Sequence, residues 1–163
     1  MNFLLDGYNL LHALGFATRN MAGKGLERAR LKMLDWLGER HGESASSVRV
    51  VFDALHATRG DQTRQTYRGI KVEFAFKELA DDRIEELILA ERRPRSLHVV
   101  SNDTRIRDFS RRRGCVAWSS DEYVDWLIRG QRAAASSAPP PEKSEEASDE
   151  EMAAWLAAFE KRP

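Results

Sequence analysis

The chain has 163 residues, of which 42% are hydrophobic and 32% charged, enough for one ordinary domain with a real core plus a tail. No apolar run approaches the roughly 20 residues of a membrane span, no basic-then-apolar signal opens the chain, and the single Cys115 cannot form an internal disulfide. A cytoplasmic protein without membrane contact is expected, with Cys115 a buried thiol inside its apolar run CVAW. The net charge of zero is unevenly spread. Residues 133–163 carry three basic and seven acidic side chains, which leaves a body of +4 suited to a polyanionic partner.

Residues 2–5 (NFLL) read as a short buried strand that stops on Asp6. Asp6 either caps the helix that follows or faces a ligand at the strand's carboxyl end, and Gly7 lets the backbone turn. Segment 26–40 places Leu26, Ala29, Met33, Leu34 and Leu37 on one helical stripe, with Gly42 as a stop signal. Run 48–52 (VRVVF) is a strand ending on Asp53. Residues 56–69 (HATRGDQTRQTYRG) show no apolar periodicity and read as a long exposed loop carrying Arg59, Arg64 and Arg68. Run 70–76 alternates, with Ile70, Val72, Phe74 and Phe76 on one face, as an edge strand or one of different orientation would.

Segment 80–91 is a second helix, with Ile84, Leu87, Ile88 and Leu89 as its apolar positions. Strand 97–101 runs into Asn102 and Asp103. Residues 104–113 form a helix, 115–118 a strand and 121–129 a helix opened by Ser119 and Ser120. Alternating strands and helices predict a mostly parallel sheet covered on both faces, here within residues 1–132. Residues 133–151, with three consecutive prolines and clustered acids, read as a disordered linker. Segment 152–163 regains helical spacing at Met152, Trp155, Leu156 and Phe159, an apolar stripe that needs a partner surface on this chain or on another macromolecule.

Asp6, Asp53 and Asp103 stand at strand ends, and Glu78, Asp81 and Asp82 open a helix, so four elements deliver acids to one sheet edge. Carboxylates so gathered repel one another unless a cation sits among them. Oxygen donors without Cys or His suit Mg²⁺ or Mn²⁺, ions that support phosphodiester cleavage by an activated water. Arginine forks fit phosphates, and Arg105, Arg107, Arg111, Arg112 and Arg113 follow Asp103 directly. A further cluster, Arg92, Arg93 and Arg95, flanks Pro94.

The combination LLDGYNLLHA, VVFDA, ELADDRIEELI and VVSNDTRIRDFSRRRG resembles the YacP-like branch of NYN-domain proteins, within the PIN-like nuclease superfamily. The resemblance covers about residues 1–130. It implies a PIN-like three-layer α/β/α sandwich and a metal-dependent endoribonuclease acting on RNA. It carries the acidic positions over to Asp6, Asp81 and Asp103, with Asn9 and Ser101 as supporting polar groups beside Asn102. Asp53, Asp82 and Asp108 are candidates to extend the shell. Many members have E-T-A-D where this chain has ELAD, so Leu79 stands in place of a hydroxyl. WLAAF at 155–159 is similar to a short terminal segment of this branch.

Other chemistries are disfavoured. No G-x-G-x-x-G follows the first strand, and no nucleophile elbow is visible. Tyr8 stands where an aspartyl phosphatase would want a second acid, and His12, His41, His56 and His98 show no pairing. The alternative is a catalytically weak or inactive RNA-binding or adaptor module of the same fold.

Overall fold

Strand β1 (Asn2–Asp6) is the centre from which the rest is arranged, in parallel register with β2 (Val48–Asp53) on one side and β5 (Leu97–Val100) on the other. The computed structural model describes residues 1–54, 57, 63–76 and 79–137. The six strands lie in the order β3-β4-β2-β1-β5-β6, where β3 is Arg64–Tyr67, β4 Ile70–Ala75 and β6 Val116–Trp118. All neighbours run parallel except β3, which pairs antiparallel with β4. Order therefore reverses between β1 and β5, and the crevice beyond their carboxyl ends is the place where such sheets take ligands.

Helices α1 (Gly7–Ala13), α2 (Gly23–His41) and α5 (Ser120–Ser137) supply the core of one face, where Leu10, Met33, Leu37 and Tyr123 pack on Phe3, Val50 and Phe74. Helices α3 (Ala80–Ala90) and α4 (Thr104–Arg112) supply the other, where Ile84, Ile88 and Ile106 pack on Leu4, Val51 and Val99. The result is the expected three-layer α/β/α arrangement. The chain divides into two units, Met1–Arg129 and Gly130–Pro163, and the sheet belongs to the first. No helix among the described residues is long and apolar enough to cross a membrane.

Four readings of the sequence change. Residues 64–67 form strand β3 and not loop, joined to β4 by the two-residue turn Arg68-Gly69, both at positive φ, the hairpin geometry that matches strand twist. Strand β4 is accordingly interior, and parallel to β2. Phe76 and Leu89, expected in the core, are 49% and 53% exposed. Phe76 lies just past the end of β4, and Leu89 lies about 100° around α3 from buried Ile88. Helix α5 continues to Ser137, five residues into the stretch read as linker. His56, Arg59, Glu78 and the segment 152–163 lie outside the described residues.

Gly7 also has a different reason from the one its position suggests. It is the first residue of α1, and a Cβ there would meet the Phe52 ring at 2.5 Å. Close packing of α1 on β2 excludes any side chain. Cys115 is buried as expected, and burial pushes its thiol pKa up.

Glu73 of β4 is only 5% exposed on the α3 side of the sheet. Its carboxylate holds Arg83 of α3 at 2.9 Å, Arg49 of β2 at 3.3 Å and Arg64 of β3 at 3.7 Å. One acid thus ties three strands to the helix whose first turn bears Asp81. Glu73→Ala should destabilise the fold by about 2 kcal/mol, below the usual 3–5 for a broken buried pair because the arginines keep some solvent. Urea unfolding measures it.

Candidate functional site

Asp6 ends β1, and its carboxylate serves α1 twice. Oδ1 accepts the Asn9 backbone N–H at 3.4 Å, while Oδ2 accepts the Asn9 side-chain amide. The cap reading of Asp6 therefore holds. The Ser101 hydroxyl donates to the same Oδ2 at 3.4 Å and accepts the Asp103 backbone N–H at 3.1 Å. Ser101 thereby ties the end of β5 to the end of β1.

Asp103 is the N-cap of α4, its Oδ1 accepting the Arg105 N–H at 2.8 Å. Asn102 works as a brace, its Oδ1 accepting the Ser120 N–H at 2.9 Å. Helix α5 is started by a reciprocal capping box, in which Ser119 N–H donates to Glu122 and Glu122 N–H donates to the Ser119 hydroxyl. Asp81 sits in the first turn of α3. Leu79, at that helix's N-cap, makes no side-chain cap bond.

These ends enclose an open cleft of about 420 Å³ lined by Asp6, Tyr8, Asn9, Asp53, Ala80, Asp81, Asn102 and Asp103. Three of the lining acids come from strand ends or the turns beyond them, and the fourth from the start of α3. Asp82 is turned away and faces Arg105 at 3.6 Å. Asp108 lies outside the lining and pairs with Arg111 at 3.3 Å. No histidine of the described residues lines the cleft: His12 packs edge-on against Tyr8, and His41 bonds the Tyr123 hydroxyl at 2.6 Å.

The Asp6 pKa is pushed up to about 6, chiefly by burial and also by the Asp81 charge, against the hydrogen bonds from Asn9 and Ser101. Asp81 is also raised, first by burial and then by the charge and hydrogen bond of Asp103, with Arg105 opposing. Arg105 itself is held by Glu85 at 3.0 Å. The acids are thus an electrostatic strain that a cation would relieve.

Among the described residues no three His, Cys, Asp or Glu side chains close into a metal cage. Carboxylate, amide and hydroxyl oxygens around an open cleft are instead the donor set of a hard ion that keeps several of its waters, as Mg²⁺ does. Of the arginines read as phosphate ligands, Arg105 and Arg107 lie on the first turns of α4, Arg64 and Arg68 at the β3 edge, and Arg111, Arg112 and Arg113 at the far end of α4. Arg68 is occupied by Asp35 at 3.1 Å.

A mostly parallel sheet with acids gathered where its order reverses is a nuclease-like architecture. The chain belongs to the YacP-like NYN domain family, whose profile matches residues 3–160. It is similar to the crystal structure of Rae1 (YacP) from Bacillus subtilis, at 26% identity and TM-score 0.60, over 98% of this chain and 88% of that one. A single-substitution variant of Rae1 gives 26% identity and TM-score 0.61, over 82% of this chain and 79% of that one. No curated protein matches the chain.

A raised carboxylate pKa means that protonated Asp6 lends stability below pH 3.8, which is lost as pH climbs through about 6. At neutral pH the fold carries the cost of the buried charge. Asp6→Asn keeps a capping oxygen and removes that charge. In chelator at pH 7.5 the variant should be more stable by up to about 3 kcal/mol, and the gain should vanish near pH 4. Denaturant titrations at the two pH values measure the difference.

Proposed function

We propose that this chain is an endoribonuclease dependent on Mg²⁺ or Mn²⁺. The observation that carries the reading is the buried Asp6 carboxylate facing Asp81, with Asp103 beside it, at the switch point of a nuclease-like sheet. Asp6, Asp81 and Asp103 hold the ion, and Asp53 lines the same cleft. Such an ion supplies Lewis acidity toward phosphoryl oxygens and makes water a nucleophile near neutral pH.

The chain's own residues set the geometry. Asn9 and Ser101 fix the rotamer of Asp6 from two sides, so its carboxylate is oriented before any ligand arrives. Asn102 and Ser101 hold the β5 end, and with it Asp103, against the start of α5 and the end of β1. Arg105 and Arg107, on the turns just after Asp103, present cations to the flanking phosphates. In the hydrolysis so arranged, a water oxygen bonds to phosphorus and the 3′-oxygen leaves. The products carry 5′-phosphate and 3′-hydroxyl ends.

Cleavage of mixed RNA should stop in EDTA and return with Mg²⁺ or Mn²⁺. Products ending in 2′,3′-cyclic phosphate, or activity that survives chelation, would replace the metal reading with attack by the ribose hydroxyl. RNA binding without any cleavage would favour the inactive module. Asp81→Asn should lower kcat/KM by more than about a hundredfold, since even outer partners of metal ligands are worth roughly ten- to a hundredfold. Asp82→Asn should cost far less, because Asp82 faces Arg105 and not the cleft.

A further inference from the structure

Two arginine runs far apart in sequence meet at the end of the sheet opposite the acids. Residues 91–95 lead through the 3₁₀ turn Pro94–Ser96 into the amino end of β5, while 111–113 close α4. A Cβ on Gly114 would stand 3.9 Å from the Pro94 ring, and Glu91 and Arg113 both act on the Cys115 thiol, so the runs adjoin. Together they present Arg92, Arg93, Arg95, Arg111, Arg112 and Arg113, all exposed.

Their distance from the cleft follows from the elements between. Arg112 lies nine residues along α4 from Asp103, about 13 Å at 1.5 Å per residue. Arg95 lies in the turn before β5 and Ser101 just after it, so the four residues of that strand separate them, a span of similar order at about 3.3 Å per residue. The patch is a second surface and not a rim of the acid cleft. Arg105 and Arg112 are seven apart on α4, on one helical stripe that connects the two.

Within the described residues, few carboxylates pair with the arginines of this surface. Arg49, Arg64, Arg68, Arg83, Arg105 and Arg129 each hold a carboxylate. Among the described residues Arg92, Arg93, Arg95, Arg112 and Arg113 hold none, and only Arg111 is paired, with Asp108. The runs ERRPRS and RRRG contain no lysine, no aromatic and no large apolar side chain. Unpaired guanidinium forks without an apolar anchor suit phosphates, whereas protein interfaces are centred on buried aromatic or aliphatic anchors.

We propose that this patch is a second RNA-binding surface, which grips the phosphate backbone of the substrate beyond the cleft and makes the protein favour RNA long enough to reach it. The preference for long substrates rests on the endoribonuclease reading; the binding surface does not. Strand leaving the cleft would follow the Arg105–Arg112 stripe to the patch.

The test uses the full chain and the triple variant Arg92→Ala, Arg93→Ala, Arg95→Ala, whose side chains make no hydrogen bond or ion pair within the described residues. Binding is read by fluorescence anisotropy in EDTA over a salt series, with a long oligouridine, a trinucleotide and polyglutamate as probes. For the long RNA, affinity should fall roughly tenfold or more, and the log–log salt slope should shrink by about 0.7 per lost phosphate contact, about two units in all. Trinucleotide binding should not change. Arg112→Ala with Arg113→Ala should act in the same direction.

With Mg²⁺ added, the triple variant should lose cleavage of the long RNA while keeping that of the trinucleotide. Unchanged long-RNA affinity and slope in both variants would overturn the proposal. So would polyglutamate binding the wild type as tightly as RNA and losing affinity with the same arginines, which would assign the patch to an acidic protein. Patch-dependent RNA binding in a protein that cleaves nothing would sustain the surface and sink the nuclease reading instead.

Discussion

The structure is organised around a carboxylate kept where water would have served it better. Asp6 is 5% exposed, at the end of the central strand, with Asp81 near enough to raise its pKa further. A buried unpaired acid is normally neutralised or replaced. Here the surroundings hold it in one orientation, with Asn9 on one side and Ser101 on the other. Both partners donate to the oxygens, and neither supplies a full positive charge. The cost of the buried charge is thus reduced but not removed, which leaves a negative charge only partly compensated.

Other parts of the fold keep the cleft's walls in place. Glu73 gathers arginines from β2, β3 and α3, so the helix that brings Asp81 is anchored by charge as well as by Ile84 and Ile88. Asn102 reaches the first N–H of α5, and Glu122 and Ser119 cap that helix reciprocally. Each acid of the cleft stands next to a fixed helix start or strand end. Precision of this kind comes from backbone termini, whose unmet hydrogen-bonding groups demand polar partners in any case.

Much of this was legible in the sequence because strand and helix ends announce themselves. Asp6, Asp53 and Asp103 follow apolar runs, and Asp81 opens a helix, so their convergence needed only the inference of a parallel sheet. Strand β3 escaped because RQTY has no apolar alternation, being half exposed on the sheet's edge; the signal that would have found it is the two-residue Arg68-Gly69 turn before a clear strand. Gly7 looked like a turn residue because the ring it admits, Phe52, lies 45 positions away. Asn102 could be placed near the site from sequence, but its bond to Ser120 depends on how β5 and α5 meet. Arg111, Arg112 and Arg113 looked adjacent to Asp103 along the chain, yet a helix carries them to the opposite end of the sheet.

The bond between Ser101 and Asp6 joins residues 95 positions apart, and this has a consequence for how the protein is made. During synthesis the amino-terminal strand leaves the ribosome first, at about 5–20 residues per second. Its inner neighbour β5 and the helix bearing Asp103 emerge only after most of the domain has been translated. Until then Asp6 has no Ser101 beside it, and Asp81 and Asp103 cannot face one another. The acid cleft is consequently a late product of folding. A nascent chain carries the separate pieces before it possesses the assembled cleft.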